Sequence, residues 1–140
     1  VHLNPNVQQP VREILADCPR ITLLEPVGYR QFVALLDRAT LVLTDSGGVQ
    51  EEAASLGRPT LILRDKTERP EVVAAGAATL VGAHRERIVA EARRLLADEN
   101  ARQAMARPVR VIGDGLAARR IADVLLNGAM SLDPFQSCFT

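Results

Sequence analysis

The chain has 140 residues, 47% of them hydrophobic, which suits one domain with a real core and argues against disorder. The formal net charge is zero, so no basic excess points to nucleic acid, and Lys66 is the only lysine. Aromatic residues make up 3% and Trp is absent, so Leu, Val, Ile and Ala must build the core. In chain order, Val7, Val11, Ile14, Leu15 and Cys18 recur at helical spacing, with Pro10 early in the helix. Ile21–Leu24 is a short β-type run, and 25–28 (EPVG) is a turn or loop. Phe32, Leu35, Leu36 and Ala39 mark a second helix, and Thr40–Thr44 a strand without polar alternation, as expected when both faces are covered. A third helix ends near Gly57, a C-cap glycine, and Thr60–Leu63 forms another buried strand. A charged loop (RDKTERPE, 64–71) runs into a short helix, and Ala78–Val81 is a last strand. Ile88, Ala92, Leu95 and Leu96 define an amphipathic helix, followed by a shorter one over Ala101–Arg107. After Gly113-Asp114-Gly115 a final helix is expected, with Ala117, Ile121, Val124 and Leu125 facing inward.

Short strands alternating with helices predict an α/β fold with a parallel sheet. Such sheets bind ligands beyond the carboxyl ends of their strands. The loops to inspect are therefore 25–29, 45–48 and 64–71, each of which follows a predicted strand. Cys18 and Cys138 give neither a disulfide framework nor zinc-ligand spacing, which makes a reducing, cytoplasmic setting the default. No apolar run approaches a membrane span, so no membrane partner is expected.

The stretch TDSGGVQEEAASLG (44–57) carries the most chemistry. A helix start has unpaired N–H groups and the positive end of the helix dipole. Gly47 and Gly48 lack Cβ atoms, so an anion can come close to that backbone, and Ser46 adds a hydroxyl. Ser46 as a plain N-cap, with the glycines only making a tight turn, explains the same residues. Glu51 and Glu52 lie one turn into the helix, where a carboxylate disfavours phosphate but can accept hydrogen bonds from sugar hydroxyls. One of the two suits that role and the other a solvated surface charge. Neither a GxGxxG nor a GxxxxGK[ST] pattern is present.

The segment LTDSGGVQEEAASLGRPTLILRDKTERPE resembles the non-hydrolysing UDP-N-acetylglucosamine 2-epimerases. VHLNPNV at the start, LLEPVGYRQFVALL in the middle and GDGLAARRI near the end fit the same family in the same order, covering roughly residues 1–128. The resemblance implies the C-terminal, Rossmann-like half of a two-domain GT-B fold, here without its first strand and helix. It places a UDP-binding domain at 1–128 and an irregular tail at 129–140. It implies interconversion of UDP-GlcNAc and UDP-ManNAc by elimination and re-addition of UDP, with no cofactor and no metal. By the same resemblance, Ser46, Gly47 and Gly48 hold the diphosphate, Glu52 accepts from the ribose, and Arg69 faces the sugar–diphosphate. Phe32 lines the uracil pocket, and His2 resembles a position that helps to bind a regulatory UDP-GlcNAc.

The family's acid–base carboxylates and catalytic histidine are not among these residues. The chain is therefore expected to be a fragment that does not epimerise alone. Its expected partners are UDP and UDP-GlcNAc, and a homodimer is expected. A UDP-sugar glycosyltransferase and a non-catalytic nucleotide-binding remnant are the alternatives. RDKTERPE directly after a strand favours the epimerases over the first of these.

Overall fold

A computed structural model describes residues 4–110 and 113–127. The chain divides into two compact units, Val1–Leu35 and Leu36–Thr140.

In the first unit, α1 (Pro5–Leu15) starts behind Asn4, whose side-chain oxygen accepts from the Asn6 N–H at 3.0 Å. Pro10 stays in the helix, and Val11, Leu15 and Cys18 are half-buried while Ile14 is exposed. The expected strand over Ile21–Leu24 does not form: the segment has no regular structure. A strand needs a neighbour for its N–H and C=O groups. Among the described residues the first unit contains no other strand, and Ile21 and Leu24 stay exposed. The helix α2 (Tyr29–Arg38) begins where Gln31 folds back, its side-chain oxygen accepting from the Gly28 N–H at 3.1 Å.

The second unit holds a parallel sheet of β1 (Val42–Thr44), β2 (Thr60–Ile62) and β3 (Ala78–Leu80), in that spatial order. Val42 pairs with Thr60 and Thr60 with Ala78, so the three strands run in one register. The connections are helical: α3 (Gly47–Ser55) lies between β1 and β2, and α4 (Pro70–Ala74) between β2 and β3. After β3 come α5 (Arg85–Ala97), α6 (Glu99–Met105) and α7 (Ala117–Asn127). The expected parallel α/β arrangement is therefore present. None of the helices among the described residues is long and apolar enough to cross a membrane.

Successive strand residues point to opposite faces. Ile62 packs with Ala54, Val72, Ala77 and Ala78, on the side of α3 and α4. Leu61, its neighbour in the strand, packs with Val81, Leu95 and Met105, on the side of α5 and α6. Both faces of β2 are thus covered, which is why it has no exposed residue and no polar alternation, whereas β1, expected to be covered on both faces, leaves Leu43 exposed at the sheet's edge.

The end of α3 is a Schellman motif. The Arg58 N–H donates to the Ala53 carbonyl at 2.8 Å and the Gly57 N–H to the Ala54 carbonyl at 3.1 Å. Gly57 has φ +64°, and a Cβ there would lie 2.8 Å from Pro108 Cδ. The Val109 N–H donates to the Ala54 carbonyl at 3.1 Å, so the chain after α6 is laced onto the end of α3.

The last helix forms where expected but not in the expected packing. Ile121 and Leu125, read as inward, are 60% and 79% exposed, and α7 buries no residue. Helical spacing shows that a stripe is apolar and does not show what covers it. The start of α7 is held by Asp114, which accepts from the Leu116 N–H at 3.0 Å and from the two terminal nitrogens of the Arg120 guanidinium, Nη1 and Nη2, at 2.9 and 2.6 Å. The Arg120 bonds first, then the Leu116 amide, pull the Asp114 pKa from 3.8 down to about 2. An acid with a depressed pKa supports the fold fully above its unfolded value and loses that support as pH falls through the folded one. The clasp should therefore be intact above about pH 4 and open as the pH approaches 2. A carboxyl-carbon NMR titration should give a midpoint near the depressed value, and Arg120→Ala should move it upward. A wild-type midpoint at the ordinary Asp value would contradict the clasp.

Candidate functional site

The carboxyl ends of β1, β2 and β3 lead into 45–46, 63–69 and 81–84, so these three connections share one edge of the sheet. The first carries the SGG turn. Ser46 is the residue before α3, with extended backbone at φ −82° and ψ 127°. Its N–H donates to the Thr44 hydroxyl at 3.0 Å, which fixes the turn from the end of β1. Its side chain makes no cap bond to the helix. The N–H groups of Gly47, Gly48 and Val49 find no acceptor among the described residues, and the first ladder bond is Gln50 N–H to Ser46 O at 3.1 Å. A row of unpaired donors thus stands at the positive end of a nine-residue helix.

The glycines are not there for the turn. Neither Gly47 nor Gly48 has a positive φ, and a Cβ at either would meet nothing within 4 Å. The chain itself demands no glycine at these positions, in contrast to Gly57. What their absent side chains leave open is the approach to the unpaired amides. Ser46 as a plain cap is likewise not what the geometry shows, since its hydroxyl is uncommitted to the helix.

The two glutamates of α3 separate. Glu51 pairs with Arg69, its Oε1 accepting from the Arg69 Nε–H. It is not a solvated surface charge. That bond, ahead of all other influences, raises the Arg69 pKa above its ordinary value, so the guanidinium remains charged. Arg69 also donates from Nη1 to its neighbour's carbonyl, that of Glu68, at 3.0 Å. Glu52 is half-buried, and its carboxylate has no partner among the described residues. Of the two carboxylates it is the one open to outside donors. Ser46, Gly47, Gly48, Glu52 and Arg69 therefore gather around the first turns of α3 and the loop facing it.

Phe32 lies in the other unit, half-buried on α2, with its N–H donating to the Gly28 carbonyl at 3.0 Å. His2 and the 129–140 tail lie outside the described residues. A shallow depression of about 250 Å³ occurs at the opposite, amino-terminal edge of the sheet, lined by Arg38, Thr40, Arg58, Pro59 and Arg102 among others. Its cations are partly spent on structure: Arg58 pairs with Asp37 at 2.8 Å, and Arg102 donates to the Leu95 carbonyl at 3.1 Å.

Two residues of the site escaped the sequence reading. Gln50 is completely buried on the first turn of α3. Its Oε1 accepts from the Thr67 hydroxyl at 2.6 Å, and Thr67 Oγ1 in turn accepts from the Arg69 N–H at 3.0 Å. A signal existed for Gln50: it precedes the buried Ala53 and Ala54 by three and four positions, a polar residue on the packing face. Nothing in sequence spacing distinguishes Thr67.

The family model described as UDP-N-acetylglucosamine 2-epimerase matches residues 1–126. A UDP-N-acetylglucosamine 2-epimerase of Escherichia coli K12 is 54% identical over 132 residues, covering 94% of this chain and 35% of that protein. The crystal structure of UDP-GlcNAc 2-epimerase from Neisseria meningitidis bound to UDP-GlcNAc superposes with a TM-score of 0.85 at 43% identity, over 89% of this chain and 34% of that one. The S. aureus MnaA–UDP co-structure superposes with a TM-score of 0.82 at 38% identity, over 89% and 34%. The chain thus spans about a third of the length of these relatives.

Proposed function

Starting from a chain that belongs to the UDP-N-acetylglucosamine 2-epimerase family, we propose that it supplies the UDP-holding part of an enzyme interconverting UDP-GlcNAc and UDP-ManNAc. The observation that carries this is the set of unpaired amides at Gly47, Gly48 and Val49, left open by two glycines the fold does not need. These amides and the Ser46 hydroxyl bind the diphosphate. Glu52 accepts from the ribose hydroxyls, and Arg69 faces the sugar–diphosphate with its planar, permanently charged fork. Donors already in place where the departing UDP gathers charge lower the barrier to breaking the sugar C–O bond. Proton removal at C2 needs a positioned base, which these residues do not supply. The remainder of the enzyme provides it. A homodimer in the cytoplasm is the setting proposed, and the exposed Ile121, Leu125 and Leu126 of α7 favour self-association.

Calorimetric titration of the chain with UDP tests the site. Glu52→Gln should weaken binding about tenfold, the effect of losing a charge-assisted acceptor. Ser46→Ala should weaken it by a smaller factor, about threefold. Unchanged affinity in both variants would remove the site from α3. For the full-length enzyme, turnover of UDP-GlcNAc in D2O should place deuterium at C2 and yield UDP-ManNAc; retention of hydrogen at C2 throughout would contradict the reaction.

A further inference from the structure

We propose that Gln50 and Thr67 are positioning residues which fix Arg69 against the start of α3, an inference that rests on the anion site described above. Arg69 follows β2 in a loop without regular structure, at residues 63–69. Its ion pair with Glu51 is partly exposed, and a pair of that kind holds a long side chain only weakly. The main chain is fixed by a different route. The Arg69 N–H donates to Thr67 Oγ1 at 3.0 Å, and the Thr67 hydroxyl donates to Gln50 Oε1 at 2.6 Å.

The direction of this chain follows from its donors. Thr67 has one hydroxyl proton, which goes to Gln50, and a lone pair, which receives the Arg69 amide. Gln50 is completely buried and Thr67 half-buried, so water competes for this bond less than it does at the surface. The arrangement also leaves Gln50 Nε2 buried and without a partner among the described residues. An orphaned buried donor is unfavourable, and an apolar residue would pack there without it. Keeping the carboxamide makes sense if its oxygen has work to do. That work is to receive Thr67 and so hold residues 67–69 to the same helical turn that presents the open amides. Gln50 and Glu51 then grip Arg69 from adjacent positions on α3, one through the backbone and one through the side chain.

Two measurements on the whole chain test this. In ligand-free protein, the Arg69 backbone N–H, which donates to Thr67 Oγ1, should be slow to exchange in wild type, and the Arg69 Nε–H NMR signal should sit at one shifted position. Thr67→Val, with Thr67→Ala as a second variant, should abolish that protection while amide signals of the sheet stay in place. Thr67→Ser, which keeps the hydroxyl, should retain it. An unchanged Arg69 signal in Thr67→Val and Thr67→Ala overturns the proposal, whether or not UDP binds. In UDP titrations, Thr67→Val should weaken affinity about fivefold. The same change made on an Arg69→Ala background should have no further effect, because coupled residues are not additive. Equal losses on both backgrounds would mean Thr67 acts independently of Arg69, which also overturns it. Absence of UDP binding by wild type would instead strike the anion site, leaving the NMR result to decide the positioning.

Discussion

Replacing both Gly47 and Gly48 by alanine is expected to stabilise the chain and to weaken UDP binding about a hundredfold. The two halves of this result have separate causes. Neither glycine has a positive φ, and a Cβ at either meets nothing within 4 Å, so alanine fits without strain. Alanine also narrows the unfolded chain's freedom and favours the helix, for a gain of about 0.5–1 kcal/mol. Thermal unfolding should therefore shift upward by about 2–5 °C. The loss of affinity comes from the ligand's side. Two methyl groups would stand over the amides of the first turn of α3 and keep a diphosphate from hydrogen-bonding distance. Calorimetry with UDP and a melting curve on the same sample check both. If the double variant is stabilised but binds as well as wild type, the amides are not the binding surface. If it is strongly destabilised, the turn needs its glycines for the fold.

The largest effect on stability is expected at Leu61. It is fully buried in the middle strand and packs with Val81, Leu95 and Met105, joining the sheet to the α5–α6 layer. Leu61→Ala removes that contact and leaves a cavity that fixed neighbours on either side can only partly fill, a loss of about 2–5 kcal/mol. Domains of this size have about 5–15 kcal/mol in all, so the variant should unfold at much lower urea. Leu43→Ala is the control: Leu43 is also in the sheet but 45% exposed, and its truncation should cost about 1 kcal/mol or less. Similar midpoints for the two variants would refute the account of a core divided by β2.

Much of the second unit was legible because its signals were local. The strands 42–44, 60–62 and 78–80 lie within short runs of apolar residues and threonine, and Gly57 closes α3 as its position after the helical run predicts. The SGG turn stood out because a strand ended and a helix began within a few residues. The failures were questions of partnership. Ile21–Leu24 has strand-like composition, but a strand exists only where another offers its ladder, and no short window contains that information. Ile121 and Leu125 have the right spacing for a buried face, and spacing carries no knowledge of the cover. The pairing of Glu51 with Arg69 across 18 positions, and of Gln50 with Thr67 across 17, was hidden for the same reason. What composition at Glu51 and Glu52 could offer was two equivalent carboxylates. Only the fold shows which one is already engaged.

Gly57 bears on how this chain would respond to directed evolution. With φ +64° and Pro108 packed where a Cβ would go, it is a position at which a library screened for heat resistance should return only the parental codon. The same screen, blind to ligand, would let Gly47 and Gly48 drift to alanine within a few rounds. Variants recovered that way would be robust and unable to hold a nucleotide. Sequencing such a population would sort the chain's glycines into those the backbone owns and those the ligand owns, with no binding assay at all.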